Sequence, residues 1–175
     1  MKRRIAVLIG SQSDLKQCGE GLKILKSAVE EEIVEVVDLR ASSIHRAMTL
    51  TLAHVRDKAD IDVMITGAGW ANHLTGVTDA YLRYALENTK VVVIGVAFED
   101  AKNPKHTQAA ILSITEVPGT QVVFEDAEGE FSGPDGFRRA CQFAVSGELP
   151  VLTIPEERPP VRFTLDEAIA IANSQ

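Results

Sequence analysis

Thr66-Gly67-Ala68-Gly69-Trp70-Ala71-Asn72-His73-Leu74-Thr75-Gly76 stands near the middle of the 175-residue chain, between two segments of different hydrophobic period. Upstream, Ile61-Asp62-Val63-Met64-Ile65 is a short β-branched run that reads as a buried strand. Downstream, Val77 to Leu86 reads as a helix. Glycines at the carboxyl end of a strand let the backbone turn sharply and approach a ligand closely. The histidine and the amide side chain in the same loop suit a small-molecule site. Taken alone, such a loop serves equally well to pack a helix on a strand, so its meaning depends on the rest of the chain.

Working outward, the same alternation of strand-like and helix-like segments recurs on both sides. Ile5 to Ile9 is the first strand, followed by Gly10-Ser11-Gln12-Ser13-Asp14, where Ser13 or Asp14 is placed to cap a helix with apolar positions at Leu15, Cys18, Leu22, Leu25 and Val29. Ile33 to Leu39 is the second strand, followed by Ser42 to Arg46 and a helix over about Ala47 to Lys58, in which His54 is a packing or surface residue. After the central loop, Val91 to Val96 is a fourth strand, almost wholly aliphatic as in the middle of a parallel sheet. A helix near His106 to Ile114 and a fifth strand at Val122 to Phe124 come next. An acidic surface loop from Glu125 to Gly136 and a helix over Phe137 to Val145 complete the alternation.

Alternating strands and helices imply an α/β fold, a three-layer flavodoxin-like sandwich on a five-stranded parallel sheet ordered 2-1-3-4-5. The expected division is an α/β domain over residues 1–146 and an arm over 147–175. That arm carries Pro150, Pro155, Pro159 and Pro160 and ends in a helix, Leu165 to Ala172, capped by Thr164. It packs either on its own domain or on a neighbouring subunit.

Composition narrows the function classes. A formal charge of −7, with no basic run longer than Lys2-Arg3-Arg4, argues against a nucleic-acid partner. No apolar stretch approaches the roughly 20 residues needed to cross a bilayer, and no signal-peptide pattern opens the chain. A cytoplasmic protein with no membrane partner is therefore expected. Cys18 and Cys141 are too few and too isolated for a disulfide framework or a thiolate metal site, and read as small buried hydrophobes.

In the 2-1-3-4-5 order a ligand sits outside the carboxyl ends of strands 1 and 3. That rule selects the loops Gly10 to Asp14, Ser42 to Arg46 and Gly67 to Gly76. Ser11 and the amides at the start of the first helix can hold an anion, and Arg46 can pair with the same phosphate through its planar fork. Asp14 is then free to accept from sugar hydroxyls, and His45 is the side chain best suited to move a proton near neutral pH. Each residue has a plainer role open to it: Ser13 and Asp14 as caps, Arg46 as partner of a carboxylate, His45 as an exposed loop residue. A dinucleotide fingerprint is excluded, because the first loop lacks Gly-x-Gly-x-x-Gly, and no Gly-Lys-Ser or Gly-Lys-Thr supports a P-loop.

Gly10-Ser11-Gln12-Ser13-Asp14, Ser43-Ile44-His45-Arg46 and Gly67 to Gly76 together resemble the three signature loops of a known family. It comprises the N5-carboxyaminoimidazole ribonucleotide mutases of purine biosynthesis and the related phosphoribosylaminoimidazole carboxylase catalytic subunits, whose loops read GSxSD, SAHR and GAGGAAHLPG. The resemblance covers most of residues 5–145. It implies that Ser11, Asp14 and Arg46 bind the ribonucleotide and that Ser13 and Ser43 line the site with Gly67, Ala68, Gly69 and Trp70. His45 is implied as the general acid/base, with His73 beside the imidazole. The implied reaction moves a carboxylate from the exocyclic nitrogen of an aminoimidazole ribonucleotide to a ring carbon through enclosed carbon dioxide. The expected partners are that phosphoribosyl substrate, carbon dioxide or bicarbonate, and seven further copies in a homo-octamer; no cofactor and no metal are expected. Arg46 fits the mutase branch, since the carboxylase branch tends to carry lysine there.

The departures from the family pattern concentrate in the central loop. Trp70 replaces glycine, Asn72 replaces alanine and Thr75 replaces proline. An indole in the place of a glycine hydrogen either fills the imidazole pocket or turns outward. Asn72 and Thr75, changed in the same loop, favour an altered pocket with a new polar ligand group. Three functions follow: a true mutase, a paralogue that carboxylates or decarboxylates another ribonucleotide, and a non-catalytic ribonucleotide-binding relative. His45 and His73 together speak against the last.

Overall fold

Residues 2–174 are described by a computed structural model; Met1 and Gln175, the outermost residues of the two expected segments, lie outside them. The apolar run of the first strand extends over β1 (Arg3–Ile9), in which Ile5, Ala6, Val7, Leu8 and Ile9 are each at most 1% exposed. A strand buried on both faces must lie inside a sheet covered by helices on either side. Accordingly β1 is flanked by β2 (Val34–Ala41) and β3 (Val63–Ala68), and β4 (Val92–Ala97) follows, all parallel in the order β2-β1-β3-β4.

The two-residue period of the strands divides the interior into two cores. Ile5, Val7, Ile9, Val63, Ile65, Val92, Ile94 and Val96 face α1 (Gly19–Glu30), α5 (Gly133–Ser146) and the inner side of α4 (Pro104–Thr115). Ala6, Leu8, Met64 and Val93 face the opposite way, toward Val55 of α2 (Met48–Asp57) and Leu74 of α3 (His73–Ala80). Cys18 and Cys141 are buried in the first core, where burial pushes the Cys18 thiol up to about 12, so both act as small hydrophobes.

The fifth strand expected at Val122 to Phe124 is reduced to a single parallel bridge between Val123 and Ile94. Gly95 N–H donates to Val123 O and Val123 N–H to Val93 O, each at 2.9 Å, so this segment does lie beside β4. Its length is the reason it stops there. Gly119, at φ +77, turns the chain just before it, and directly after Phe124 the chain enters a hairpin of β5 (Glu125–Asp126) and β6 (Gly129–Glu130). The expected surface loop from Glu125 to Gly136 thus contains a hairpin, and it returns the wholly buried Phe131 to the sheet, where Phe131 O accepts from Ala97 N at 3.0 Å.

Three helix starts also differ from expectation, the first being α5, which begins at Gly133 inside the expected loop and not at Phe137. The first loop enters a 3₁₀ turn over Gln12–Gln17 capped by Ser11, whose oxygen accepts from Ser13 N at 3.3 Å; Ser13 and Asp14 lie inside that turn and α1 begins only at Gly19. The helix after the central loop starts at His73 rather than Val77, because Asn72 caps it by accepting from Thr75 N at 3.2 Å. It continues as a π turn over Tyr81–Ala85, which carries Arg83 wholly inside the protein. Arg83 Nε lies 3.2 Å from Asp79 Oδ1, and its two terminal nitrogens donate to Asn88 O and, at 2.6 Å, to Val91 O.

Beyond α5 the chain is held by Leu152, buried in the first core with Leu149 against it, and at two polar points. Arg3 donates to Ala144 O and Gly147 O at 2.8 and 3.1 Å, and Gln121 exchanges two 2.8 Å hydrogen bonds with the backbone of Thr153. From Thr153 to Ser174 every residue except the half-buried Pro155 is exposed. α6 (Leu165–Ala172) is stabilised locally by a reciprocal capping box between Thr164 and Glu167, and buries no residue. The accessible surface of 10175 Å² exceeds the roughly 8400 Å² expected for a compact 19.0-kDa monomer, as this extended arm requires. Among the described residues no helix is long and apolar enough to cross a membrane.

Removing one partner of a buried ion pair leaves an uncompensated charge. Arg83→Met should therefore cost about 3–5 kcal/mol in urea unfolding, and pairing it with Asp79→Leu should recover most of that loss. A single variant as stable as the parent protein would show that the pair is not holding the turn.

Candidate functional site

The strand ends bring the three loops together before any side chain is considered. Gly10 N–H donates to Gly67 O at 2.7 Å, joining the first loop to the third, and Ser42 N–H donates to Ile9 O at 2.8 Å, joining the second to the first. A Cβ on Gly10 would lie 2.8 Å from Ala68 Cβ, so only glycine permits this approach. The loops enclose a cavity of about 400 Å³, within the range that takes a small molecule. Ser11, Ser13, Asp14, Ser43, His45, Arg46, Ala68, Gly69 and Trp70 all line it. A second hollow, about 570 Å³, shares Gly10, Ser11, Ser43 and Arg46 with the first.

Gly67 does not reach the cavity. It lies within β3, and a Cβ there would meet the Phe98 ring at 2.8 Å, so the lack of a side chain at this glycine makes room for Phe98. His73 is absent from the cavity wall itself and joins the site through His45. Ile44, Ala71 and Leu74, not singled out from the sequence, supply apolar lining.

Ser11 and Ser13 hydroxyls lie 2.9 Å apart at the mouth of the first loop. Half-buried Asp14 follows them, and burial pushes its carboxyl above the usual range, against the opposing pull of Lys16 and of the Ser11 backbone. Arg46 is exposed and, among the described residues, its side chain forms no ion pair or hydrogen bond, so its guanidinium answers no carboxylate of the protein. A fork-shaped cation left unpaired beside two hydroxyls is an anion-binding arrangement.

His45 sits on the tight turn Ile44 to Arg46, closed by Ala47 N–H donating to Ser43 O at 2.9 Å. Its Nε2 lies 2.7 Å from His73 Nδ1, with ring centroids 4.9 Å apart and planes at 74°. One nitrogen of that contact carries the hydrogen and the other accepts it, so two neutral imidazoles joined in this way share one tautomer, both Nε2–H or both Nδ1–H. The outer nitrogens make no hydrogen bond among the described residues, which leaves them open for proton exchange. His54, by contrast, is buried on α2 with Nδ1 3.4 Å from Asp38; burial, with Arg40 adding to it, pulls its pKa down, and it belongs to packing.

The altered-pocket expectation for Asn72 and Thr75 is overturned, because both are wholly buried and neither lines the cavity. Asn72 Nδ2 donates to Val96 O at 2.9 Å, Thr75 Oγ1 donates to Asn72 Oδ1 at 3.0 Å, and Thr66 Oγ1 donates to Thr75 Oγ1 at 2.9 Å. This network binds the loop and α3 to β3 and β4, and Gly95 makes room for it, since a Cβ there would lie 2.9 Å from Thr75 Cγ2. Trp70 turns outward. Its residue is 65% exposed, its φ is +60, and its ring stacks on His106 with centroids 4.3 Å apart and planes at 24°. A left-handed backbone costs a non-glycine residue about 1–2 kcal/mol, a strain of the kind that gathers at functional sites. His106 was not legible as part of the site, although it follows strand β4 just as the other loops follow their strands.

No curated protein sequence matches the chain. Among solved structures, the PurE of Treponema denticola superposes with a TM-score of 0.51 at 18% identity, covering 82% of this chain and 87% of its own, which is a likeness of fold. A profile of AIR carboxylase sequences matches residues 4–127, a span that takes in the four strands of the sheet except Arg3 and all three loops of the cavity. The chain belongs to the AIR carboxylase family.

Proposed function

We propose that this protein is an N5-carboxyaminoimidazole ribonucleotide mutase of purine biosynthesis, working in the cytoplasm without a nucleic-acid or membrane partner. The observation that carries the reading is the 2.7 Å contact between His45 and His73 at a cavity whose arginine, Arg46, is unpaired among the described residues. Arg46 and the Ser11 and Ser13 hydroxyls take the phosphate, Asp14 and Ser43 the sugar. Breaking the exocyclic N–C bond releases carbon dioxide and leaves the nitrogen needing a proton; forming the ring C–C bond leaves the carbon with a proton to lose. One imidazole that gives the first proton and takes the second closes the balance, and His45 is the group so placed. His73 fixes the tautomer of His45 through their shared hydrogen. The outward turn of Trp70 and the structural employment of Asn72 and Thr75 favour this reading over a paralogue with another substrate, because they leave the cavity open.

The reading includes assembly into a homo-octamer. Val161, Phe163, Leu165, Ile169 and Ile171 are exposed along the outer part of the arm, where among the described residues none is buried, and apolar surface of that kind suits a protein–protein contact.

His45→Asn retains polarity and removes titration, so ribonucleotide binding should survive while kcat falls by roughly 10²-fold or more. Parallel loss of binding and turnover would make His45 structural. Arg46→Ala should weaken ribonucleotide binding by about 1.5–3 kcal/mol in calorimetry with little change in kcat. Light scattering should report eight 19.0-kDa chains at micromolar concentration, and removal of residues 160–175 should lower that mass; a monomeric parent protein would rule the assembly out.

A further inference from the structure

Trp70 has no counterpart in the acid/base and phosphate roles just assigned, yet it is held with unusual care. Its backbone sits in the left-handed region, the residue lines the rim of the cavity, and one face of its outward-turned ring is covered by His106. His106 is itself fixed at both ring nitrogens. Nδ1 lies 2.7 Å from Asp100 Oδ2, and Nε2 lies 3.0 Å from Asn103 Nδ2, with Asn103 Oδ1 turned to accept from Lys105 N at 3.2 Å. Asp100 in turn accepts from Lys102 N at 2.9 Å and, among the described residues, receives no arginine or lysine side chain. The imidazole plane therefore cannot rotate without breaking hydrogen bonds on both edges, and it backs the indole as a fixed support. A flat π surface at a ligand cavity, supported from behind and otherwise 65% exposed, is a stacking surface without an occupant.

We infer that Trp70 is a specificity-determining platform on which the planar heterocycle of a ribonucleotide stacks, and that His106, oriented by Asp100 and Asn103, is the positioning residue that holds the platform in place. The inference rests on the ribonucleotide reading of the cavity. Arg46, His45 and Trp70 line the same cavity, so a ligand anchored by its phosphate at Arg46 brings its ring system within the space they share. Stacking is tolerant of ring identity, because every nucleobase has a π face. The platform therefore adds affinity for heterocyclic ribonucleotides as a class and none for the sugar phosphate alone.

The test compares three probes, aminoimidazole ribonucleotide, adenosine 5′-monophosphate and ribose 5-phosphate, by calorimetry on the full-length protein. Trp70 is the single tryptophan of the chain, so its emission also reads the platform directly. Trp70→Ala should weaken the heterocyclic ligand by about tenfold or more while leaving ribose 5-phosphate unchanged, and Trp70→Phe should retain most of the affinity. His106→Ala should reproduce part of the selective loss and His106→Phe should restore it, a rescue that a role in folding alone would not give. In the parent protein the heterocyclic ligand should alter Trp70 emission and ribose 5-phosphate should not. Selective loss seen with adenosine 5′-monophosphate but no binding of aminoimidazole ribonucleotide would keep the platform and remove the mutase reading. Equal loss for all three probes, no loss for any, or a parent protein that binds none of them would overturn the platform.

Discussion

The site depends on how closely two strands can end. Gly10 and Gly67 are joined by a 2.7 Å backbone hydrogen bond, and the first loop then passes so near Ala68 that a single added carbon would collide with it. This contact is a property of backbone, not of side chains, and it sets the distance between everything the two loops carry. Ser11 and Asp14 on one side, Ala68, Gly69 and Trp70 on the other, face a common space because nothing stands between their strands. The second loop is drawn in by the same logic, through Ser42 and Ile9. Burial of β1 on both faces makes this geometry stiff, since no core residue can move without opening a void.

The central loop shows how substitutions adjacent in sequence can have unrelated purposes. Thr66, Asn72 and Thr75 are buried and satisfy one another, tying the loop and its helix to β4 through Val96. Such a network is stabilising only when complete, because each unpaired member would carry the cost of its own desolvation. Asn72 and Thr75 therefore belong together as a structural pair. Trp70, two residues before Asn72, is on the opposite side of the backbone and exposed. The left-handed conformation of Trp70 is what separates the two directions, and it places an indole against His106 that a right-handed residue would have sent elsewhere.

Much of this was legible in the sequence, and the failures have identifiable causes. Aliphatic runs located β1 to β4, and the switch-point rule selected the three loops that line the cavity, because both depend on period and order alone. The fifth strand failed because hydrophobicity at Val122 to Phe124 says nothing about how soon the neighbouring turn and hairpin cut pairing short. The cap of the first helix was misplaced by the 3₁₀ turn, which begins at Gln12 and makes Ser11 the capping residue. Gly67 was read as a ligand contact because two glycines in Gly-x-Gly look alike in sequence, whereas one lies under Phe98 and the other on the cavity. The stack between Trp70 and His106 joins residues far apart in the chain, and no local pattern announces it.

The proposed chemistry makes a demand that the isolated chain does not meet. Carbon dioxide released from nitrogen must be recaptured by carbon before it diffuses away, which requires walls that exclude water. His45, His73 and Arg46 are all exposed in the single chain, and Trp70 stands open beside them. The same chain extends an arm whose apolar Val161, Phe163 and Leu165 are left exposed. These two deficits are complementary: one surface needs enclosure, the other needs something to enclose. Under the mutase and octamer readings proposed above, enclosure by a neighbouring copy would be part of catalysis, because proton transfer by His45 is productive only while the carbon dioxide remains within reach of the ring carbon.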